Sequence, residues 1–184
     1  MTDFLTKPHP TSLLISGREY KIRTDFRIWI KISEIFSNMD LHPADKIIKI
    51  FSLIFTTDAL PSSIDDAIKS IGEFLSPFSS MEEEKGERGG KASFSFSHDG
   101  GLIYAAFLSQ YGIDLTSAHL HWWRFLALLF SLEDCKFTEI VKIRALDLSA
   151  IKDTNQKRFI RKLKRLYRLP SDPHHMSEEI GKIF

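Results

Sequence analysis

Leu120-His121-Trp122-Trp123-Arg124-Phe125-Leu126-Ala127-Leu128-Leu129-Phe130 is the stretch whose reading decides the fold. Its apolar residues follow neither the alternation of a half-buried strand nor a single helical stripe, and with Leu132 they surround a helix on all sides. That pattern predicts a central helix with a start near Thr116 or Ser117. Working outward, the same helical spacing recurs. Phe26, Trp29, Ile30, Ser33 and Phe36, widened by Ile28, Ile32 and Ile35, predict a helix over about 25–39, capped by Thr24 or Asp25. Pro43 suits the first turn of a second helix, whose Ile47, Ile48, Ile50, Phe51, Leu53, Ile54 and Phe55 predict another core element. Pro61-Ser62-Ser63 opens a third, with Ile64, Ala67, Ile68, Ile71, Phe74 and Leu75 inward, Asp65 and Asp66 favoured by the helix dipole, and Pro77 as its stop.

Downstream, Asp99 is read as the cap of a helix through Leu102, Ile103, Tyr104, Ala106, Phe107 and Tyr111, closed by Gly112. Thr138 to about Leu146 predicts a short helix with Ile140, Val141 and Ile143. Thr154–Tyr167 predicts a last one, with Phe159, Ile160, Leu163, Leu166 and Tyr167 on one face. Lys157, Arg158, Arg161, Lys162, Lys164 and Arg165 take the other face, a candidate surface for an anionic partner. The fold class expected is mainly α: a compact helical domain of about six to seven helices with a flexible mid-chain linker. Residues 1–19 read as an extended arm, with a short strand expected around Tyr20-Lys21-Ile22. Residues 20–169 read as a single helical domain, with a first half over 20–78, a mobile linker over 79–93 and a second half over 94–169. Residues 170–184 read as a tail. The linker expectation rests on Ser79-Ser80-Met81-Glu82-Glu83-Glu84-Lys85-Gly86-Glu87-Arg88-Gly89-Gly90-Lys91, which holds too little apolar surface to offset its ordering entropy.

Composition narrows the function. The 184 residues are 43% hydrophobic and 27% charged, close to a soluble globular average, and the formal charge is +1. That near-balance argues against a general nucleic-acid binder. Cys135, the single cysteine, cannot make an intrachain disulfide and fits a reducing compartment. Met1-Thr2-Asp3-Phe4 has neither a basic nor an apolar leader segment, and no apolar run approaches the roughly 18 residues of a membrane span.

Catalytic signatures are missing, so no enzyme and no cofactor are expected. Glu133-Asp134 beside Cys135 disfavours its thiolate. Ser97-His98 lacks a nucleophile elbow, and Gly89-Gly90 and Gly100-Gly101 lack the Lys-Ser/Thr of a phosphate loop. His98, Asp99, His119 and His121 are an unpromising metal set, because residues two apart on a helix diverge. His174-His175 fits a solvated tail. Trp122-Trp123-Arg124-Phe125 is the most unusual feature: adjacent helix positions point about 100° apart, so both indoles can be core, or one can face a partner.

Several blocks, in this order and spacing, resemble the bacteriophage "gene product fifteen" family of tailed phages and prophages of Gram-positive bacteria. They are Ile22-Arg23-Thr24-Asp25-Phe26-Arg27, Leu102-Ile103-Tyr104-Ala105-Ala106-Phe107, Gln110-Tyr111-Gly112-Ile113-Asp114-Leu115, Leu120 to Leu129, Ile143-Arg144 and Lys164-x-x-Tyr167-x-Leu169. The resemblance spans about Tyr20 to Leu169. It departs at Gly100-Gly101, where the family tends to carry an acidic residue, and at the Glu/Lys/Gly linker. It implies a non-enzymatic morphogenesis protein encoded near the tape-measure protein, a tail assembly chaperone that coats that long helical chain. It further implies a place in the host cytoplasm and outside the mature virion, with self-association and contacts to the tape-measure or other tail proteins. The contact residues assigned on this basis are Tyr104, Phe107, Tyr111, Trp122, Trp123 and Arg124. A structural tail or connector component is the alternative, and a nucleic-acid-binding packaging factor acting through the basic helix is a more distant one.

Overall fold

The computed structural model describes residues 4–57, 60–78 and 93–170. The described residues are mainly α, with seven α-helices, one 3-10 turn and one two-stranded sheet. The mid-chain linker expected over 79–93 lies outside them except for Ser93, as does the tail beyond Pro170. The chain divides into two compact units, Met1–Gly90 with Ala118–Leu128, and Lys91–Ser117 with Leu129–Phe184. The segment quoted first above thus clusters largely with the N-terminal half of the chain rather than with its neighbours in sequence.

In the first unit, part of the expected extended arm is a hairpin of β1 (Ser12–Ile15) and β2 (Arg18–Lys21). Leu13 pairs with Tyr20 and Ile15 with Arg18. Ser16 and Gly17 join the strands, and both hold positive φ, 49° and 78°. This matches the mirror-image two-residue turn whose twist suits a hairpin. Strand alternation turns Leu13, Ile15 and Tyr20 inward and leaves Leu14 exposed. The hairpin packs on α3 (Ile64–Leu75), where Ser70 Oγ donates to Leu14 O at 3.0 Å.

Three helices follow expected starts. In α1 (Phe26–Ser37), Asp25 is the cap and accepts from Arg27 N–H at 3.0 Å. In α2 (Pro43–Ile54), Pro43 sits in the first turn behind His42, whose Nδ1 accepts from Ala44 N–H. In α3, Ser63 Oγ accepts from Asp66 N–H. The helix α2, expected as a core element, is buried along one stripe only. Ile50, Phe51 and Ile54 face the core, while Ile48 is exposed. When apolar residues fall on nearly every side of a helix, spacing alone does not show which stripe is inward.

The helix of the opening stretch, here α5, runs Trp122–Phe130 and not from Thr116 or Ser117. Those two residues belong to a turn held by Asp114, whose carboxylate accepts from Thr116 N–H and Oγ1–H and whose carbonyl accepts from Ser117 N–H. The two bonds from Thr116, hydroxyl first and amide second, pull the Asp114 carboxyl below its usual range. Nor is α5 apolar-buried on every side, because Arg124 and Phe130 are exposed.

The second unit holds α4 (Phe96–Tyr111), α6 (Lys136–Ala145), a 3-10 turn (Leu148–Ala150) and α7 (Thr154–Leu166). Gly112 ends α4 in the left-handed conformation at φ 64°, as its position predicts. Asp99, however, is not the cap. Ser95 is, and Asp99 lies one turn inside the helix at 1% exposure. Its carboxylate takes a paired contact from Arg144 of α6, Nη1 to Oδ2 at 2.6 Å and Nη2 to Oδ1 at 3.0 Å. It also accepts from Ser95 N–H at 2.9 Å. Arg144 in turn donates to Ser93 O and to Tyr167 O. One guanidinium thereby ties together the entry to α4, α6 and the end of α7.

A buried pair broken on one side leaves the other charge stranded, which costs roughly 3–5 kcal/mol. Arg144→Met is therefore expected to lower unfolding stability by about that amount in urea titrations followed by circular dichroism. Asp99→Asn combined with Arg144→Met should destabilise by less than the two single changes together, since they share one interaction.

Candidate protein-binding surfaces

The residues assigned to partner contact are divided between the two units. Trp122, Trp123 and Arg124 lie in the first unit, and Tyr104, Phe107 and Tyr111 in the second. The two indoles are buried, at 2% and 9% exposure, and their polar edges are committed. Trp122 Nε1–H donates to Leu75 O at 2.9 Å and Trp123 Nε1–H to Phe74 O at 2.8 Å. These are carbonyls of the last turn of α3, which has no glycine cap and so leaves acceptors open. The roughly 100° between adjacent helix positions lets the pair reach consecutive carbonyls of one helix end. Of the three, Arg124 alone is exposed.

The Trp123 ring also belongs to an aromatic cluster with Phe74, Phe4, His9 and His121, at centroid separations of 5.2, 5.5, 6.1 and 5.9 Å. Two of the blocks quoted above meet beside it. Phe26 N–H donates to Leu120 O at 3.0 Å, Trp122 N–H donates to Thr24 O at 2.8 Å, and Phe26 stacks on Phe125 at 4.7 Å. Arg27 bridges to Asp25 at 3.0 Å and donates to Ala118 O at 2.9 Å. His121 stands before α5 and its Nδ1 accepts from Trp123 N–H at 3.1 Å. The ring proton of the neutral form must then sit on Nε2, which lies 2.9 Å from Pro10 O and donates to it. Burial lowers the His121 pKa, the Pro10 bond opposes that shift, and neighbouring His9 adds to it.

In the second unit, Phe107 is fully buried, and Tyr111 stands edge-on to it at 5.5 Å. Tyr111 has its pKa raised by burial and then by Glu133 and Cys135. Tyr104 is partly exposed. Gln110 exchanges hydrogen bonds with the backbone of Glu133, fixing the end of α4 against that turn. The metal set does not assemble: Asp99 is taken by Arg144, and among the described residues no cluster of three or more potential ligands occurs. His174 and His175 lie outside the described residues.

Among the described residues, two surfaces stand out as open. One is an apolar cleft of about 160 Å³ in the first unit, lined by Phe36 of α1, Ile47, Ile50 and Phe51 of α2, and Ile68 and Ile71 of α3. Sequence reading missed it because it needs the packing of three helices. The other is α7, which has no buried residue. Its Arg158, Arg161, Lys162 and Arg165 are exposed, Lys157 is half-buried, and Lys164 donates to Leu146 O.

The blocks that make these contacts fall within a family match over residues 5–169 to the family described as Bacteriophage Gp15 protein. The chain belongs to that family. This Gp15-family chain is accordingly a phage structural or morphogenesis protein. No curated protein and no solved structure matches it. No helix among the described residues is long and apolar enough to cross a membrane.

Trp122→Phe and Trp123→Phe each keep most of the ring but strand a carbonyl of α3. Each is expected to cost about 1–3 kcal/mol in denaturant unfolding. His121 supplies a pH signature. Its folded form resists protonation, so its stabilising share is complete above the ordinary pKa of 6.5 and is lost as pH falls through the lowered folded value. His121→Asn, which keeps an acceptor for Trp123 N–H, should flatten the decline in melting temperature on acidification from neutral pH.

Proposed function

We propose that this protein is a tail assembly chaperone that binds the tape-measure protein while the tail tube forms, acts without catalysis, and leaves before the virion is complete. Family membership supplies the phage context. The observation that carries the finer reading is apolar side chain left at the surface of helices, at Ile48 of α2 and at Phe159 and Leu166 of α7. A tape-measure protein is a long helical chain with apolar stripes, and a helix-in-groove contact shields such stripes reversibly. Many copies along one chain, aided by self-association, hold it firmly through modest individual affinities. The buried tryptophan pair is no part of this contact. Its place is structural, and the contact passes to the exposed helix faces.

Co-expression with a tagged tape-measure fragment is expected to keep that fragment soluble and to recover it in complex with this protein. Mass spectrometry of purified virions should not find the chain. Its presence there in stoichiometric amount would replace the chaperone reading with that of a structural tail or connector component.

A further inference from the structure

We propose that α7 is a docking helix for an acidic amphipathic α-helix of a partner protein. Within the second unit, α7 rests on α6 and the 3-10 turn, yet Phe159 and Leu166 remain 60% and 71% exposed. They are seven residues apart, so they stand two turns apart on the same side of the helix. Arg158 and Arg165 precede them with the same spacing, and Lys162 lies between. The result is an apolar seam with a cationic flank, the arrangement by which one helix recognises another carrying acidic residues beside its own seam.

Among the described residues the flank has no acidic counterweight. Lys157 and Lys164 act on Asp147. Arg158, Arg161, Lys162 and Arg165 form no ion pair among the described residues, where the pairs formed are those of Arg27, His119, Lys136 and Arg144. Instead these cations neighbour one another three and four positions apart, which destabilises a helix. The six cations of α7 face no acid within it, while the whole chain carries only +1. An acidic helix removes the repulsion and covers the two apolar side chains together. A nucleic-acid duplex offers phosphates but nothing to cover Phe159 and Leu166. An anionic membrane needs a broader apolar face than two side chains provide. The inference deepens the chaperone reading and rests on it for who the partner is, not for the partner's chemistry.

The test uses the full chain and a fluorescent peptide of about three heptads, with Leu at the seam and Glu on both flanks. A Lys-flanked version, a short DNA duplex and phosphatidylglycerol vesicles are compared with it. The Glu peptide is expected to bind saturably and to weaken roughly tenfold or more between about 50 mM and about 300 mM salt. Phe159→Ser with Leu166→Ser should weaken it by a similar factor, and circular dichroism should show those exposed-site variants folded. Arg158→Glu, Lys162→Glu and Arg165→Glu together should transfer the preference to the Lys peptide.

No saturable Glu-peptide binding at low salt, tighter binding to duplex or vesicles, or indifference to the Phe159 and Leu166 changes would overturn the proposal. The triple charge variant then goes into the tape-measure co-expression. A fragment retained by it sinks the α7 assignment and leaves the chaperone reading standing. Glu-peptide binding with no fragment bound by the wild-type chain does the reverse.

Discussion

The last-turn carbonyls of an α-helix have no partner within the helix, and much of this structure follows from how they are satisfied. A glycine in the left-handed conformation is a common local answer, and α4 uses it at Gly112. Other helices end without glycine, in a chain that holds nine glycines among 184 residues. Their ends take donors from elsewhere in the fold. Lys46 Nζ reaches Phe36 O of α1, and Arg23 reaches Ser52 O, Leu53 O and Phe55 O around the end of α2. Trp122 and Trp123 serve α3, Lys164 the cap of α6, and Arg144 the cap of α7. Four of these donors are cations, which the negative end of the helix dipole also favours. A helix ended this way takes these bonds from a partner element, with water as the alternative donor where that element is absent.

That dependence explains what was legible in the sequence and what was not. Helix starts are local events. Asp25, Pro43 and Ser63 act on amides two or three residues away or simply lack one, so short stretches reveal them. Gly112 is local in the same sense. Arg144 and Asp99 are 45 positions apart, and nothing around Asp99 distinguishes a buried carboxylate from a cap. The cap reading was chemically reasonable and misplaced the helix start, because Ser95 performs that task one turn earlier. The tryptophan pair shows the same limit. Two indoles side by side identify large groups with polar edges, and only the position of Phe74 O and Leu75 O shows that both edges are spent inside.

The blocks behind the family resemblance take on a physical meaning in this light. Arg23, Asp25, Phe26, Trp122, Trp123, Arg144, Lys164 and Tyr167 all lie within them, and each takes part in a junction between elements. What a reader recognises along the chain is the set of joints that hold its two units together internally. Such residues identify the fold strongly and say little about where a partner sits, because a residue committed to a joint is unavailable to a partner. The proposed contact accordingly draws mainly on what the joints leave over.

What is left over differs in kind between the units. The cleft among α1, α2 and α3 is apolar, so a contact there depends on burying area and resists salt. The outward side of α7 sets two apolar side chains beside cations that form no ion pair among the described residues, so a contact there is steered by charge and weakens as salt rises. A chaperone of the kind proposed, which covers a long helical partner and later gives way to other subunits, would gain from the second kind. Electrostatic flanks speed encounter and fix the register of docking without adding much affinity at each copy. Wide apolar contacts would hold each copy too firmly to be displaced in turn. On the proposed reading, the repulsion among Arg158, Arg161, Lys162 and Arg165 works in the same direction as that requirement, since an acidic partner would relieve it on docking and restore it on leaving.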